Sequence, residues 1–335
     1  MKKADNKRAT IRDVAKLAGV SISTASMAIN GKDRVSEETR RAIFNAVKEL
    51  SYKPNNSARN LRASKTKVIG LLIPDVLNSY YSEVMEYIRE ELESYGYFLI
   101  LGISGNKIEN EAKYISEFIS WGVDGVICVP QLIYVSDTTY MKPLDDYKIP
   151  YIFLSARYEQ VSAPYVMCDL KKGSYILTDY LLSKGLTKIF LMVGDFEVDK
   201  PYISGFKEAF EKHGLEFDQS AIYKSSYKFD EIQNIAEIMI DQRPQAIMSI
   251  SDLMACAILQ VARKRKLKVP SELSVTGYDD VIYSTINQLP ITTVKQPIKE
   301  MCALTVNNLM NIINYGIMPQ SAMLEPRLII RDTTI

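Results

Sequence analysis

From residue 68 onward, apolar runs of strand length alternate with amphipathic helical patterns, and few folds can accommodate that alternation. The runs lie at 68–73, 98–101, 125–129, 151–154, 188–193, 246–250 and 274–278, and helical spacing occupies 82–95, 109–120, 173–184, 203–212, 231–241 and 253–265. Repeated strand–helix–strand units build parallel sheets with helices on both faces. The order repeats after about residue 165, so the pattern predicts two similar doubly wound lobes. At 335 residues the chain is long enough for both lobes and a smaller domain besides.

That smaller domain is marked by charge. Residues 1–67 hold 16 Lys or Arg against 6 Asp or Glu, a net of +10, whereas the remainder holds 25 against 34, a net of −9. A basic head on an acidic body points the head at a polyanion, and nucleic acid fits best because the head's apolar residues are needed for its own small core. Thr10 and Asp13 form a capping box ahead of Ile11, Val14, Ala15, Leu17 and Ala18 at helical spacing. Gly19-Val20 breaks that helix and Ser21 caps a second over 22–29, with Ala25, Ala28 and Ile29 inward and Ser23, Thr24 and Met27 outward. A third helix starts at Ser36 with Thr39 three residues on, presents Ile43, Phe44, Val47 and Leu50 to the core, and ends at Pro54. Two short helices joined by a glycine turn, with a third closing the core, read as a helix-turn-helix.

The residues Thr10-Ile11-Arg12-Asp13-Val14-Ala15-Lys16-Leu17-Ala18-Gly19-Val20-Ser21, with Asn30-Gly31, Val35-Ser36, Thr39-Arg40, Tyr52-Lys53-Pro54-Asn55, Ala58-Arg59 and Leu61-Arg62, resemble the headpiece of the lactose-repressor (LacI/GalR) family. The resemblance continues through Ile69 to Pro74, Val123-Asp124-Gly125-Val126, Gly277-Tyr278-Asp279-Asp280, Thr292 to Pro297 and Leu328 to Arg331. It implies an all-α headpiece over 1–63 with a hinge helix at about 55–62, and a periplasmic-binding-protein-like α/β effector domain over 64–335. The first lobe is then expected at about 67–164 and 297–324, the second at about 165–296 and 325–335, with crossovers near 163–166, 293–297 and 324–327. The implied protein is a homodimeric transcription regulator, a repressor, that binds a palindromic operator in double-stranded DNA under the control of a small-molecule effector such as a sugar. A protein co-regulator, or no effector at all, is the alternative.

For DNA, the resemblance implies base reading by Ile22, Ser23 and Met27 and backbone contacts by Ser21, Ser26 and Asn30, with Thr10, Ile11, Thr24, Arg34, Ser36, Thr39, Tyr52, Asn55 and Ala58 completing the surface. Most relatives carry arginine where this chain has Met27, and an arginine fork on guanine is the commonest specific base contact. Ile22 and Met27 offer only apolar contact, suited to a thymine methyl, so a site richer in A·T is expected. Two turns at 55–62 are too short to be stable alone and are expected to fold on DNA, with Leu61 as a minor-groove wedge and Arg59 on the backbone beside it.

For the effector, the resemblance implies a cleft between the lobes lined by Tyr80, Tyr81, Tyr202, Tyr227, Ser155, Ser251, Asp252 and Asp279. Relatives that bind sugars or purines carry an arginine three residues before the Gly-Phe pair, and here Gly205-Phe206 is preceded by Tyr202, with Lys200 the nearest cation. No enzyme is expected, because nucleotide-binding glycine motifs and a nucleophile elbow are lacking and the single histidine, His213, stands at a helix end. The four cysteines lie at least 40 residues apart and are expected as buried thiols, with no metal or cofactor. No apolar stretch has membrane-spanning length and residues 1–8 lack a signal core, so a cytoplasmic location is expected.

Overall fold

The computed structural model describes residues 9–29, 34–52, 65–130, 137–194 and 199–335. The chain divides between Thr66 and Lys67 into two units. In the N-terminal unit, α1 (Ile11–Leu17), α2 (Ile22–Ile29) and α3 (Glu37–Glu49) enclose a core of Val14, Ala28, Val35, Ile43 and Ala46. The caps are those the sequence places. Thr10 donates through its N–H and hydroxyl to Asp13, at 2.8 and 2.7 Å, while Ser21 and Ser36 accept from the backbone N–H of Thr24 and Thr39.

Three local expectations are corrected. Phe44 is exposed, because at 100° per residue it cannot share the inward face with Ile43; Leu17, in the last turn of a two-turn helix, is exposed as well. Met27 packs half-buried against the head core instead of standing free. The third helix stops at Glu49, ahead of Pro54. Ser51 takes a left-handed φ of 46°, its N–H reaches the Lys48 carbonyl and that of Tyr52 reaches Val47, so the last turn closes on itself.

In the larger unit, β1 (Val68–Ile73), α4 (Ser79–Ser94), β2 (Phe98–Ile103), α5 (Ile108–Trp121), β3 (Gly125–Cys128), α6 (Lys142–Asp146), β4 (Tyr151–Leu154) and β5 (Tyr165–Cys168) follow in order. The chain then forms α7 (Leu170–Ser183), β6 (Ile189–Val193), α8 (Lys200–Lys212), β7 (Ile222–Lys224), α9 (Phe229–Asp241), β8 (Ala246–Ser249), α10 (Asp252–Lys264) and β9 (Ser274–Thr276). The last elements are α11 (Tyr283–Ile286), β10 (Thr293–Lys295), α12 (Ile298–Tyr315), β11 (Ala322–Leu324) and β12 (Arg327–Ile329).

Two parallel sheets result, ordered β11-β5-β4-β3-β1-β2 and β7-β6-β8-β9, plus an antiparallel pair of β10 with β12. The first sheet separates two apolar layers, one with α4 and α12, the other with α5 and α6. The second sheet and α7 to α10 share one core. All four cysteines are buried. Strand β5 stays in the first sheet, Phe153 beside Tyr165, so the chain leaves the first lobe after Cys168, later than the 163–166 expected. It returns through β10 and passes back between β11 and β12.

Helices α7 and α8 cross in unusually close contact. A Cβ at Gly205 would lie 2.1 Å from the Lys171 carbonyl, and Ser174 donates to the Tyr202 carbonyl at 2.6 Å. Glycine to alanine inside a helix ordinarily stabilises by about 0.5–1 kcal/mol. Here Gly205→Ala should instead lower stability by about 1–3 kcal/mol, read from the midpoint of urea unfolding, because backbone must shift to admit the methyl.

Candidate functional site

The carboxyl ends of both sheets converge on a cavity of about 70 Å³, the position at which open α/β sheets bind ligands. From the first lobe come Asn78, Tyr80 and Tyr81 at the start of α4, Val129 and Pro130 after β3, and Ser155 and Ala156 after β4. From the second come Leu170, Asp199 and Tyr202 around α7 and α8, Tyr227 ahead of α9, Ile250 and Ser251 after β8, Asp279 after β9, and Gln296 after β10.

Each side chain is held by local structure. Asn78 caps α4 by accepting from the Tyr80 N–H at 3.0 Å, which sets the two tyrosines on the first turn with rings edge to face at 5.3 Å. The Tyr80 hydroxyl shares a 2.6 Å hydrogen bond with Ser155, whose left-handed φ of 68° turns it off the end of β4. Tyr202 packs edge-on against Tyr278 at 4.8 Å. Asp279 has φ of 101°, donates its N–H to the Val294 carbonyl at 2.8 Å, and accepts from the Gln296 amide at 2.7 Å. A non-glycine residue in that backbone region is strained, which is common where a side chain must be aimed at a ligand.

The electrostatics are one-sided. Burial raises the Asp279 carboxyl to about 7, against the pull of the Gln296 hydrogen bond and with a smaller push from Glu83. Burial likewise raises the phenols of Tyr80, Tyr81, Tyr202 and Tyr227, and the negative field of Asp279 adds to each; Asp199 adds to the last three. These shared fields gather four phenols and two carboxylates around one space. No Lys, Arg or His is among the described residues that line it.

Of the eight residues expected in the cleft, Tyr80, Tyr81, Ser155, Tyr202, Tyr227, Ser251 and Asp279 line the cavity. Asp252 does not. Its carboxylate accepts from the Val281 N–H at 2.8 Å and the Thr293 hydroxyl at 2.6 Å, and it lies against Gly277, where a Cβ would approach it to 2.3 Å. Successive residues at a helix start point to different sides, so Ser251 faces the cavity while Asp252 braces the wall behind. Lys200 is exposed and does not line the cavity. Asp199 was not anticipated, although Pro201 in the first turn of α8 marks the residues before it as a strand-to-helix junction. Gln296 lies in the Thr292 to Pro297 run, where nothing in the sequence marks its amide as facing the cavity.

In the N-terminal unit, Thr10, Ser21, Ile22, Ser23, Arg34 and Ser36 are exposed, while Ile11, Thr24, Ser26, Met27, Thr39 and Tyr52 are half-buried. Asn30, Asn55, Ala58, Arg59, Leu61 and the hinge helix expected at 55–62 lie outside the described residues.

Residues 10–55 match the model of the bacterial regulatory proteins of the lacI family, and residues 178–334 match the periplasmic binding protein-like domain. The chain is 34% identical over 299 residues to the HTH-type transcriptional regulator DegA of Bacillus subtilis (strain 168), covering 88% of this chain and 89% of that protein. The chain belongs to the lacI family. Its ribose operon repressor relative from Halalkalibacterium halodurans is 31% identical over 333 residues, 97% of each protein. Among solved structures, the transcriptional regulator CelR in complex with cellobiose aligns with a TM-score of 0.72 and 27% identity over 97% of this chain and 100% of that one. As a member of this family the protein is a DNA-binding transcriptional regulator and not an enzyme. Among the described residues, no helix is long and apolar enough to cross a membrane.

An aspartate raised from about 3.9 unfolded to about 7 folded favours the fold in its protonated form, so its contribution is complete below about pH 4 and is lost as pH rises through about 7. Asn can keep the acceptor toward Gln296 and tolerates left-handed backbone. Asp279→Asn should therefore melt higher than the parent at about pH 8, and the difference should shrink at about pH 5. A gap that is independent of pH would show that folding leaves the Asp279 carboxyl unshifted.

Proposed function

We propose that this regulator is a cytoplasmic homodimeric repressor whose affinity for a palindromic operator is set by a small sugar-like metabolite bound between the two lobes. The observation that carries the reading is the cavity itself, whose polar groups come from both lobes: Tyr80 with Ser155 on one wall, Asp279 with Gln296 and Tyr202 on the other. A ligand touching both walls binds one lobe arrangement better than another. By linkage it then changes operator affinity by that difference, typically 1–3 kcal/mol. The cellobiose complex of a related regulator supports a carbohydrate in the corresponding fold.

On the DNA side, the exposed start of α2 carries the reading residues Ile22 and Ser23, with Met27 beside them, in the geometry of a recognition helix whose first turns meet base edges. Ser21, Thr24 and Ser36 are assigned to backbone phosphates together with Thr10, Ser26, Arg34, Thr39 and Tyr52. Asn30, Asn55, Ala58, Arg59 and the Leu61 wedge complete the assignment from the family pattern.

Operator binding measured by fluorescence anisotropy should weaken by ~10³–10⁵ between about 50 and 200 mM salt, as expected for ~6–10 phosphate contacts per dimer. A flat response would remove the head from the DNA. Tyr80→Ala should cut the effector concentration response at least tenfold, by removing a stacking face and the partner of Ser155. If the same variant instead loses operator affinity with no effector present, Tyr80 serves lobe packing rather than ligand recognition.

A further inference from the structure

We propose that the operator is read in the major groove through the 5-methyl group of thymine, with Ile22 as the residue that sets the preference. The inference rests on the recognition-helix reading above and deepens it, by naming the feature of the DNA that α2 recognises.

Helix α2 offers DNA very little. Residues 22–29 run Ile-Ser-Thr-Ala-Ser-Met-Ala-Ile, without a charge or a side-chain amide. Only Ile22 and Ser23 are exposed, Ile22 by 46%, and both stand on the first turn, the part of a recognition helix that meets base edges. Met27 is half-buried against the head core, so part of its side chain is committed to holding the helix in place. The Ser23 hydroxyl is engaged as well. It shares a 2.7 Å hydrogen bond with Ser21, whose hydroxyl also meets that of Thr24 at 2.8 Å and accepts the Thr24 N–H at 3.1 Å in capping the helix. A serine pairs with donors and acceptors alike, so the bonding it retains separates the bases poorly.

Charge lies elsewhere on the head. Arg12 and Lys16 on α1, Arg34 ahead of α3 and Arg41 on it are exposed, within a segment of net +10 over residues 1–67. Cations hold phosphates whatever the sequence, whereas base edges differ in their donors, their acceptors and one apolar group. That group, the thymine methyl, is the feature of the major groove that an isoleucine complements. A guanine or adenine edge opposite Ile22 would lose water without gaining a partner. A β-branched side chain in a helix also keeps essentially one χ1 rotamer, so little freedom is lost when it meets the methyl.

The test selects an operator for the full-length chain from random duplex DNA, then replaces its thymines one position at a time, in both half-sites, by deoxyuridine, which removes only the methyl. At least one such replacement should weaken binding about tenfold, the scale of losing one buried methyl in each half-site. In Ile22→Ala, at an exposed position outside the head core, the same replacement should cost about threefold or less. Exchanging the responsive T·A pair for C·G should lower affinity, and 5-methylcytosine in that C·G pair should restore it about threefold or more. A selected operator bound equally well with thymine and with deoxyuridine at every position, or a uracil penalty that Ile22→Ala leaves intact, would overturn the inference while leaving the operator-binding regulator standing. Selection that recovers no preferred sequence would overturn both this inference and the operator reading.

Discussion

The arrangement of the larger unit depends on the turn at Asp279 and Asp280. Both residues are left-handed, with φ of 101° and 58°, and this backbone sends their carboxylates to different tasks. Asp279 reaches the cavity. Asp280 gathers Arg331, Lys295 and the Ser284 hydroxyl, and so ties together β10, α11 and the segment that follows β12. Those strands are two of the three chain passages between the lobes, and they pair with one another as Thr293 with Ile329, Val294 with Leu328 and Lys295 with Arg327. Asp280 and Arg331 are both largely buried, so losing Asp280 would leave the Arg331 charge uncompensated, whereas Asp280 without Arg331 would keep only the more exposed Lys295. Ligand contact and lobe connection therefore meet in consecutive residues.

This adjacency gives the coupling a short path. A ligand that pulls on Asp279 acts on a residue whose N–H is bonded to the Val294 carbonyl, within the crossover strand itself. Gln296, the partner of Asp279, stands where that strand leaves for α12. Force at the cavity is delivered to the passages about which the lobes turn, without a relay of side chains across either core. Hinge motion needs few residues that absorb dihedral change, and a tight turn already held off the common backbone regions is suited to that role.

The sequence shows the central strands clearly, because strands of a parallel sheet are buried on both faces and read as unbroken apolar runs. Val68–Ile73 and Tyr151–Leu154 have the bounds expected. The longest helix, Ile298–Tyr315, was not marked as helical. Its buried face includes Thr305 and Asn308, which blur the apolar stripe. The three-residue strands at Ile222–Lys224 and Ala322–Leu324 are too short to show alternation. In the cleft, the tyrosines and Asp279 were legible through motifs, whereas Asp252 was misplaced because residue type cannot say which side of a helix start a carboxylate faces. Asp199 was hidden for a related reason: nothing in its neighbourhood distinguishes a lining acid from an exposed one until the opposite lobe is in place.

The cavity also differs in how freely its parts can change. Ser155 and Asp279 sit on left-handed backbone, where branched and bulky side chains are poorly accommodated, so these positions admit a narrow set of residues whatever the ligand. Tyr202 lies on an ordinary turn of α8 and Tyr227 in a loop, with no such restriction. The cleft is thus a constant floor beneath exchangeable walls. Paralogues descended from such a chain could acquire new effectors by drift at positions 202 and 227 alone, keeping the lever at 279 and 280 through which any of those effectors would be felt.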